Sequence, residues 1–277
     1  MIDLRDIKLI ACDMDGTIVR RDNKISRELL HLISCLKDLN IQFLLCTGRS
    51  YDDMRTVFPD ACKIPAILLN GALVCDEEGK TVLSQKIDAT IVEKCIKCTS
   101  ILDIPIILYT LDGMYILGDR NKIEECNGLF LDSDEVFPFN KKYTSSFSEI
   151  KSDVLKIEVL TVDLMLREQC YKMFEAIDGL QLTHFIDYNI EATRCNVNKG
   201  RVLKLLADQM CLSDKQVLVF GDSHNDLTMF KLFPKHFAVA NASGELKQFA
   251  SNFTDSVDQN GVEKIIKELL RQRGVKI

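Results

Sequence analysis

Short apolar strands alternate with amphipathic helices at both ends of the chain, and this constrains the fold more than any other feature. Near the start, "LIAC" (Leu9 to Cys12) is an apolar run of strand length. Behind a Ser26 N-cap, "KISRELLHLISCLKDLN" places Leu29, Leu30, Ile33, Leu36 and Leu39 at helical spacing. A second strand, "IQFLLCTGRS", ends at Thr47, and a short helix near Tyr51 to Phe58 leads into a third, "AILLN". From Lys199 the pattern returns as helix "KGRVLKLLADQM", strand "QVLVFGD", helix "NDLTMFKLF", strand "HFAVAN", helix "GELKQFA" and a last helix "GVEKIIKELLRQRG". A strand-helix-strand series of this kind builds an α/β, doubly wound parallel sheet of Rossmann-like type.

The middle of the chain breaks the alternation. "ALVCDEEGKTVL" reads as a hairpin, and "IPIILYTLDGMYIL" as another with its turn at Asp112 and Gly113. A helix near Lys122 to Phe130, a strand "VLKIEVLT", a helix "DLMLREQCYKMFEAI" and two short strands within "LQLTHFIDYNIEATR" follow. Hairpins mixed with helices point to an inserted α+β domain. The expected division is a discontinuous core over residues 1–83 and 191–277 with an insertion over residues 84–190, long enough to hold its own core.

Composition narrows the function. A formal net charge of -6 on 277 residues argues against a general nucleic-acid or anionic-membrane binder, which wants a broad basic surface. No run of about 18 apolar residues occurs, and charges interrupt the N-terminal apolar run, so neither a spanning helix nor a signal peptide is expected. The eleven cysteines are odd in number, and Cys12, Cys46, Cys75 and Cys211 sit in or beside apolar segments, as reduced thiols of a cytoplasmic protein would. The one CxxC, Cys95 to Cys98, lies in a probable helix without a second pair at zinc spacing, and helix surface plus core is the favoured reading.

The first strand does not end in ordinary turn chemistry. It ends in Asp13 and Asp15, two carboxylates one residue apart, whose repulsion needs a cation or a hydrogen-bond network to offset it. In doubly wound sheets, ligands bind at the carboxyl ends of the strands. Such ends carry Asp13 with Asp15, Thr47 with Gly48, and Asp222 in "VLVFGDSHNDLTMF", while Lys199 begins a helix. Asp13, Asp15 and Asp222 are hard oxygen donors with no histidine or cysteine among them, which indicates Mg2+. Lys199 offers a cation, Thr47 a hydroxyl and Gly48 a backbone N–H for a phosphoryl group. Asp13 is placed to attack phosphorus and Asp15 to give and take the protons that follow.

Together "DMDGT", "TGR", "NKG" and "GDSHND", in that order, resemble the four motifs of the haloacid dehalogenase (HAD) superfamily. The insertion between the second and third motifs, with "NGA" after the third strand, resembles the Cof-type phosphatases, subfamily IIB. The resemblance implies a HAD core with an inserted cap domain, a phosphoric monoester hydrolase that needs Mg2+, and a small phosphorylated metabolite as substrate. It implies Asp13 as nucleophile and Asp15 as general acid/base, with Thr47, Gly48, Lys199 and Asn225 as phosphate binders. Asp13, Asp15, Asp222 and Asp226 are its metal set, Asp15 through its backbone carbonyl and Asp226 at or just behind the metal. One departure is visible: family members tend to show glycine and a hydrophobic residue before the lysine, where this chain has Asn196 and Val197. Asparagine tolerates positive φ, so the turn is expected to survive.

Bland readings stand beside these. Asp226 could merely cap the helix that begins near Leu227, His224 is expected in an exposed loop, and Arg49 could touch phosphate or form a local ion pair. Tyr109, Tyr115, Asp119 and His184 in the insertion fit packing or surface as well as substrate contact. Three other functions use similar parts: a phosphomutase, a phospho-aspartate signalling receiver and a silent binding module. A receiver lacks an inserted lid, and its acceptor sits on a later strand than its acidic pair, whereas here the acidic pair supplies the acceptor.

Overall fold

In the N-terminal segment, the apolar runs become β1 (Leu9–Cys12), β2 (Gln42–Cys46) and β3 (Ala66–Leu68), joined by α1 (Arg27–Asp38) and α2 (Tyr51–Val57). Ser26 caps α1, accepting a hydrogen bond from the Leu29 N–H at 3.0 Å, and the helix buries Leu29, Leu32, Ile33 and Leu36. Strands β4 (Leu73–Cys75) and β5 (Thr81–Ser84) follow. The structure, a computed structural model, describes residues 2–58, 63–130, 141–184 and 188–275.

The middle segment holds α3 (Ala89–Ile101), β6 (Ile106–Thr110), β7 (Gly113–Leu117), α4 (Arg120–Phe130), β8 (Lys141–Tyr143), β9 (Val154–Leu160), α5 (Leu164–Glu175), β10 (Leu180–Thr183) and β11 (Asn189–Arg194). The C-terminal segment adds α6 (Lys199–Gln209), β12 (Val217–Gly221), α7 (Leu227–Leu232), β13 (Lys235–Val239), α8 (Gly244–Phe249), β14 (Phe253–Thr254) and α9 (Gly261–Gln272).

Two compact units result, Met1–Val82 with Asn198–Ile277, and Leu83–Val197. The first is an α/β doubly wound fold whose sheet runs β14-β13-β12-β1-β2-β3-β4-β5 among the described residues. Its strands are parallel from β14 to β3, and β4 turns back antiparallel to β3. Strand β1 lies between β12 and β2, two strands from opposite ends of the chain, so the strand order reverses here, the point at whose carboxyl edge doubly wound sheets take their ligands.

The second unit has a sheet of order β10-β11-β9-β6-β7-β8, antiparallel except for the β7–β8 pair. Ile106 and Leu108 of β6, Ile157 and Val159 of β9, and Ile190 and Ala192 of β11 share an apolar core with Val92 and Cys95 of α3 and with Cys170 and Phe174 of α5. Cys98 packs against that core.

The return to the first unit was expected at 191, but residues 191–197 belong to the second. Strand β11 runs to Arg194 and is laddered between β9 and β10, which ties these residues to the inserted sheet. Two strands were not anticipated, β8 and the two-residue β14, both at sheet edges and too short to show a period of two. No helix among the described residues is long and apolar enough to cross a membrane.

Candidate active site

Strand pairing places the first carboxylate. The Asp13 N–H donates to the Phe220 carbonyl at 3.1 Å, extending the β1–β12 ladder one residue past β1. The chain then closes a tight turn in which the N–H groups of Thr17, Ile18 and Val19 converge on the Met14 carbonyl. Gly16 in this turn has φ +75°, and a Cβ there would stand 2.3 Å from Asp222 Oδ2. Glycine thus serves both the left-handed turn and the close approach of a second carboxylate.

Helix α6 delivers the cation. Asn198 caps it by accepting from the Arg201 N–H at 2.9 Å, and Gly200 lies against the Thr228 backbone, where a Cβ would come within 2.4 Å. Lys199 is fully buried, and its ammonium donates to Asp13 Oδ1 at 2.6 Å and to Asp226 Oδ1 at 2.8 Å. Thr17 Oγ1 donates to the other Asp13 oxygen at 3.0 Å, so both oxygens of that carboxylate are oriented. The second Asp226 oxygen accepts from the N–H groups of Asp222 and Ser223, at 3.0 and 3.1 Å, and both of its oxygens are thereby engaged. Asp226 therefore shapes the loop and anchors Lys199.

Three carboxylates surround this one ammonium. Burial, followed by the Asp226 charge, raises the Asp13 carboxyl to about 7 even though Lys199 pulls it down. Burial and the Asp13 charge hold Asp222 well above the ordinary carboxylate range. Burial disfavours the Lys199 ammonium, but Asp13 and Asp226 outweigh it and keep the group above the usual lysine value. Asp222 Oδ1 is buried and receives no hydrogen bond.

Oxygen atoms of Asp13, Asp222 and Asp226 lie within 4.8 Å of one another. An all-oxygen donor set, excess negative charge and an orphaned carboxylate oxygen fit a small hard divalent cation such as Mg2+.

Of the other expected residues, Thr47 and Gly48 follow β2, the strand paired with β1, and Asn225 directly precedes Asp226. Thr47 is buried; its N–H donates to the Ile67 carbonyl at 2.8 Å, and its hydroxyl accepts from the Arg49 N–H at 3.1 Å. Gly48 is half-buried between them. Asn225 is buried, with Nδ2 donating to Asn70 Oδ1 at 3.3 Å.

The Asp15 side chain is not in the acidic cluster. Arg49 takes it in a forked pair, Nε to Oδ2 at 2.8 Å and Nη2 to Oδ1 at 2.6 Å, and a further bond from Nη2 to Asn23 Oδ1 at 2.8 Å steadies the guanidinium. Within the Arg49 pair, burial works against the charge, but Asp15 more than offsets it and holds the guanidinium above its ordinary value.

For Arg49 the sequence left phosphate contact and a local ion pair both open, and Thr17 carried no expected role. The signals were the adjacency of Arg49 to Thr47 and Gly48, and the placement of Thr17 four residues beyond Asp13 in a closed turn. His224 is partly buried, 3.7 Å from Glu245, where an exposed loop was expected. In the second unit, Asp119 is exposed, and Tyr109 and Tyr115 are buried, with hydroxyls donating to Glu158 and Asp112 at 2.7 and 3.0 Å. Asn196, the departure noted before the lysine, has φ +65° and so makes the left-handed turn.

The chain belongs to the haloacid dehalogenase-like hydrolase family, whose pattern matches residues 10–266. It is 27% identical over 282 residues to the 5-amino-6-(5-phospho-D-ribitylamino)uracil phosphatase YwtE of Bacillus subtilis, covering 95% of this chain and 98% of that protein. It is 26% identical over 249 residues to an HMP-PP phosphatase of Yersinia pseudotuberculosis, covering 87% and 86% of the two chains. A solved haloacid dehalogenase-like hydrolase from B. subtilis superposes with a TM-score of 0.84 at 24% identity, over 95% of this chain and 100% of that one.

Proposed function

We propose that this protein is a Mg2+-dependent phosphatase of small phosphorylated metabolites that works through an aspartyl-phosphate on Asp13. The observation that carries the reading is the Lys199 ammonium bridging Asp13 and Asp226 beside an Asp222 oxygen that no protein donor reaches. Asp13 and Asp222, with the Asp15 backbone carbonyl, would hold Mg2+ while Asp226 stands behind them, and the bound ion would lower the cost of bringing an anionic nucleophile to an anionic phosphate.

An Asp13 oxygen, aimed by Thr17 and Lys199, forms a bond to phosphorus as the ester P–O bond breaks. Asp15 gives its proton to the departing alkoxide. In the second half it takes a proton from water, which attacks the acyl-phosphate, releases inorganic phosphate and restores the Asp13 carboxylate. Lys199, Thr47, the Gly48 N–H and Asn225 hold the phosphoryl oxygens. Arg49 orients the Asp15 carboxylate and must loosen its hold for that group to carry a proton.

In this reading the choice among leaving groups falls to residues of the inserted unit. The relatives' names specify different substrates, which supports the class of small phosphorylated metabolites and no one member of it. Purified protein with Mg2+ is expected to turn over p-nitrophenyl phosphate repeatedly, and Asp13→Asn is expected to abolish it. Stoichiometric labelling of Asp13 without release would instead indicate a signalling receiver.

A further inference from the structure

After β3 the chain passes through Leu69, Asn70 and Gly71, three successive residues with φ of 50°, 56° and 105°. Left-handed backbone is disfavoured for an ordinary L-residue, and Leu69 adopts it while almost fully buried. The turn is held by three loops of the site. The Leu69 and Asn70 N–H groups each donate at 3.0 Å to the carbonyls of Arg49 and Thr47. A Cβ on Gly71 would lie 2.9 Å from the backbone of Asn198, the cap before Lys199. On the third side, Asn70 Oδ1 accepts from Asn225 Nδ2, while Asn225 Oδ1 accepts from Ser223 Oγ at 2.8 Å.

This last chain of bonds decides which way the Asn225 amide faces. Ser223 Oγ could accept from this amide as readily as donate to it, but Asn70 Oδ1 can only accept, so a flip of the Asn225 amide would set two carbonyl oxygens face to face. We propose that Asn70 is a positioning residue that fixes the Asn225 amide with its remaining N–H available to a phosphoryl oxygen. The inference rests on the reading of Asn225 as a phosphate binder.

Asparagine is common in left-handed turns for backbone reasons alone, and that is the competing account. Two features weigh against it. Leu69 shows that this turn tolerates left-handed φ without an asparagine, and a residue chosen only for backbone would not need its amide oxygen inside a buried network.

Asn70→Gly separates the two accounts, because glycine adopts φ 56° at least as well as asparagine but carries no acceptor. The measurements are KM and kcat with p-nitrophenyl phosphate and Mg2+, calorimetric titration with inorganic phosphate, and the melting temperature. The expected result is a melting temperature lowered by no more than a few degrees, a five- to thirtyfold weakening of phosphate binding with a matching rise in KM, and a kcat within about threefold of wild type.

Asn225→Ala should weaken phosphate binding at least as much, and the Asn70→Gly/Asn225→Ala double variant no further, since the first residue acts through the second. Ser223→Ala, which leaves the carbonyl end of the amide without its donor, should weaken phosphate binding by a smaller factor and gives a second arm if Asn70→Gly folds poorly. Wild-type phosphate affinity in Asn70→Gly, additive losses in the double variant, or a wild-type protein that does not bind phosphate would each overturn the proposal. A wild-type protein that binds phosphate but hydrolyses no ester would refute the phosphatase reading alone, since the titration needs no turnover.

Discussion

Each unit buries a lysine among carboxylates, and the two arrangements differ in one respect. In the second unit, Lys156 of β9 donates to Glu191 at 2.6 Å, lies 3.6 Å from Glu158 and stands over the Tyr109 ring at 4.5 Å. Neutral donors complete the Glu158 carboxylate, the Tyr109 hydroxyl at 2.7 Å and Asn189 Nδ2 at 3.0 Å. These side chains sit on laddered strands, with Glu191 opposite Glu158 and Tyr109 opposite Lys156. In the first unit the acidic groups sit past strand ends, and after Lys199 and the backbone have been used an Asp222 oxygen is left over. A buried charge network closed by its own chain serves the fold, whereas one left short of a donor is organised for something that arrives from solution.

The sharpest way to break this comparison is to neutralise one carboxylate in each network. Asp13→Asn is expected to reduce p-nitrophenyl phosphate turnover on the order of 10⁴-fold or more, and Glu191→Gln to leave it within about threefold. Comparable losses in steady-state assays of the two variants would erase the distinction.

Replacing the lysines should cost stability in both units. Lys199→Met and Lys156→Met each leave buried carboxylates without their cation, at about 3–5 kcal/mol by chemical denaturation, but only Lys199→Met should abolish turnover of whatever folded protein remains.

Mg2+ is expected to stabilise wild-type protein by about 2.7 kcal/mol at a hundred times its dissociation constant, and Asp222→Asn far less, as read by thermal shift. The sign of the pH dependence follows from Asp13. Its folded pKa, raised to about 7 by burial and Asp226, lies above the unfolded value near 3.9, so its stabilising contribution is present at acid pH and fades as pH rises through about 7. Chelator-treated protein should therefore lose stability over that interval, and added Mg2+ should restore most of it at the alkaline end. The smallest expected effect is that of Arg49→Lys, which replaces a fork by a point charge at Asp15 and should lower kcat about tenfold, measured at saturating substrate.

The parts of the site that were legible in the sequence are those that strand ends dictate. Asp13, Thr47 and Asp222 follow directly on apolar runs, and Lys199 opens an amphipathic helix, so local pattern and topology agree about them. The left-handed turn at Asn196 was legible because it depends on one residue's backbone tolerance.

What escaped depends on distance in the chain. Adjacency to Thr47 and Gly48 marks Arg49 as a residue of the site but not as the group that grips Asp15, and "VLKIEVL" reads as a strand without revealing that Lys156 and Glu158 are buried. Turn geometry at Leu69 is likewise invisible, because leucine is not a residue type that pattern rules place in a left-handed turn. Edge strands β8 and β14 are too short to carry a signal, and the boundary near 197 moved because long-range pairing, and no change of composition, keeps β11 with the inserted sheet.

The first unit is assembled from the two ends of the chain, with Leu9 paired to Val217 and the last helix returning hydrogen bonds from Gln272 and Arg273 to the carbonyls of Ile2 and Ile7. On the ribosome, β1 therefore emerges with one flank unmatched and waits while the whole inserted segment is synthesised. At roughly 5–20 residues per second that interval lasts on the order of ten seconds or more, ample time for the insert to fold by itself and for the waiting edge to need shielding. Joining the present termini and opening the chain between β5 and α3 would make that neighbour contiguous in synthesis, and such a permutant should reach its native state with less demand on chaperones.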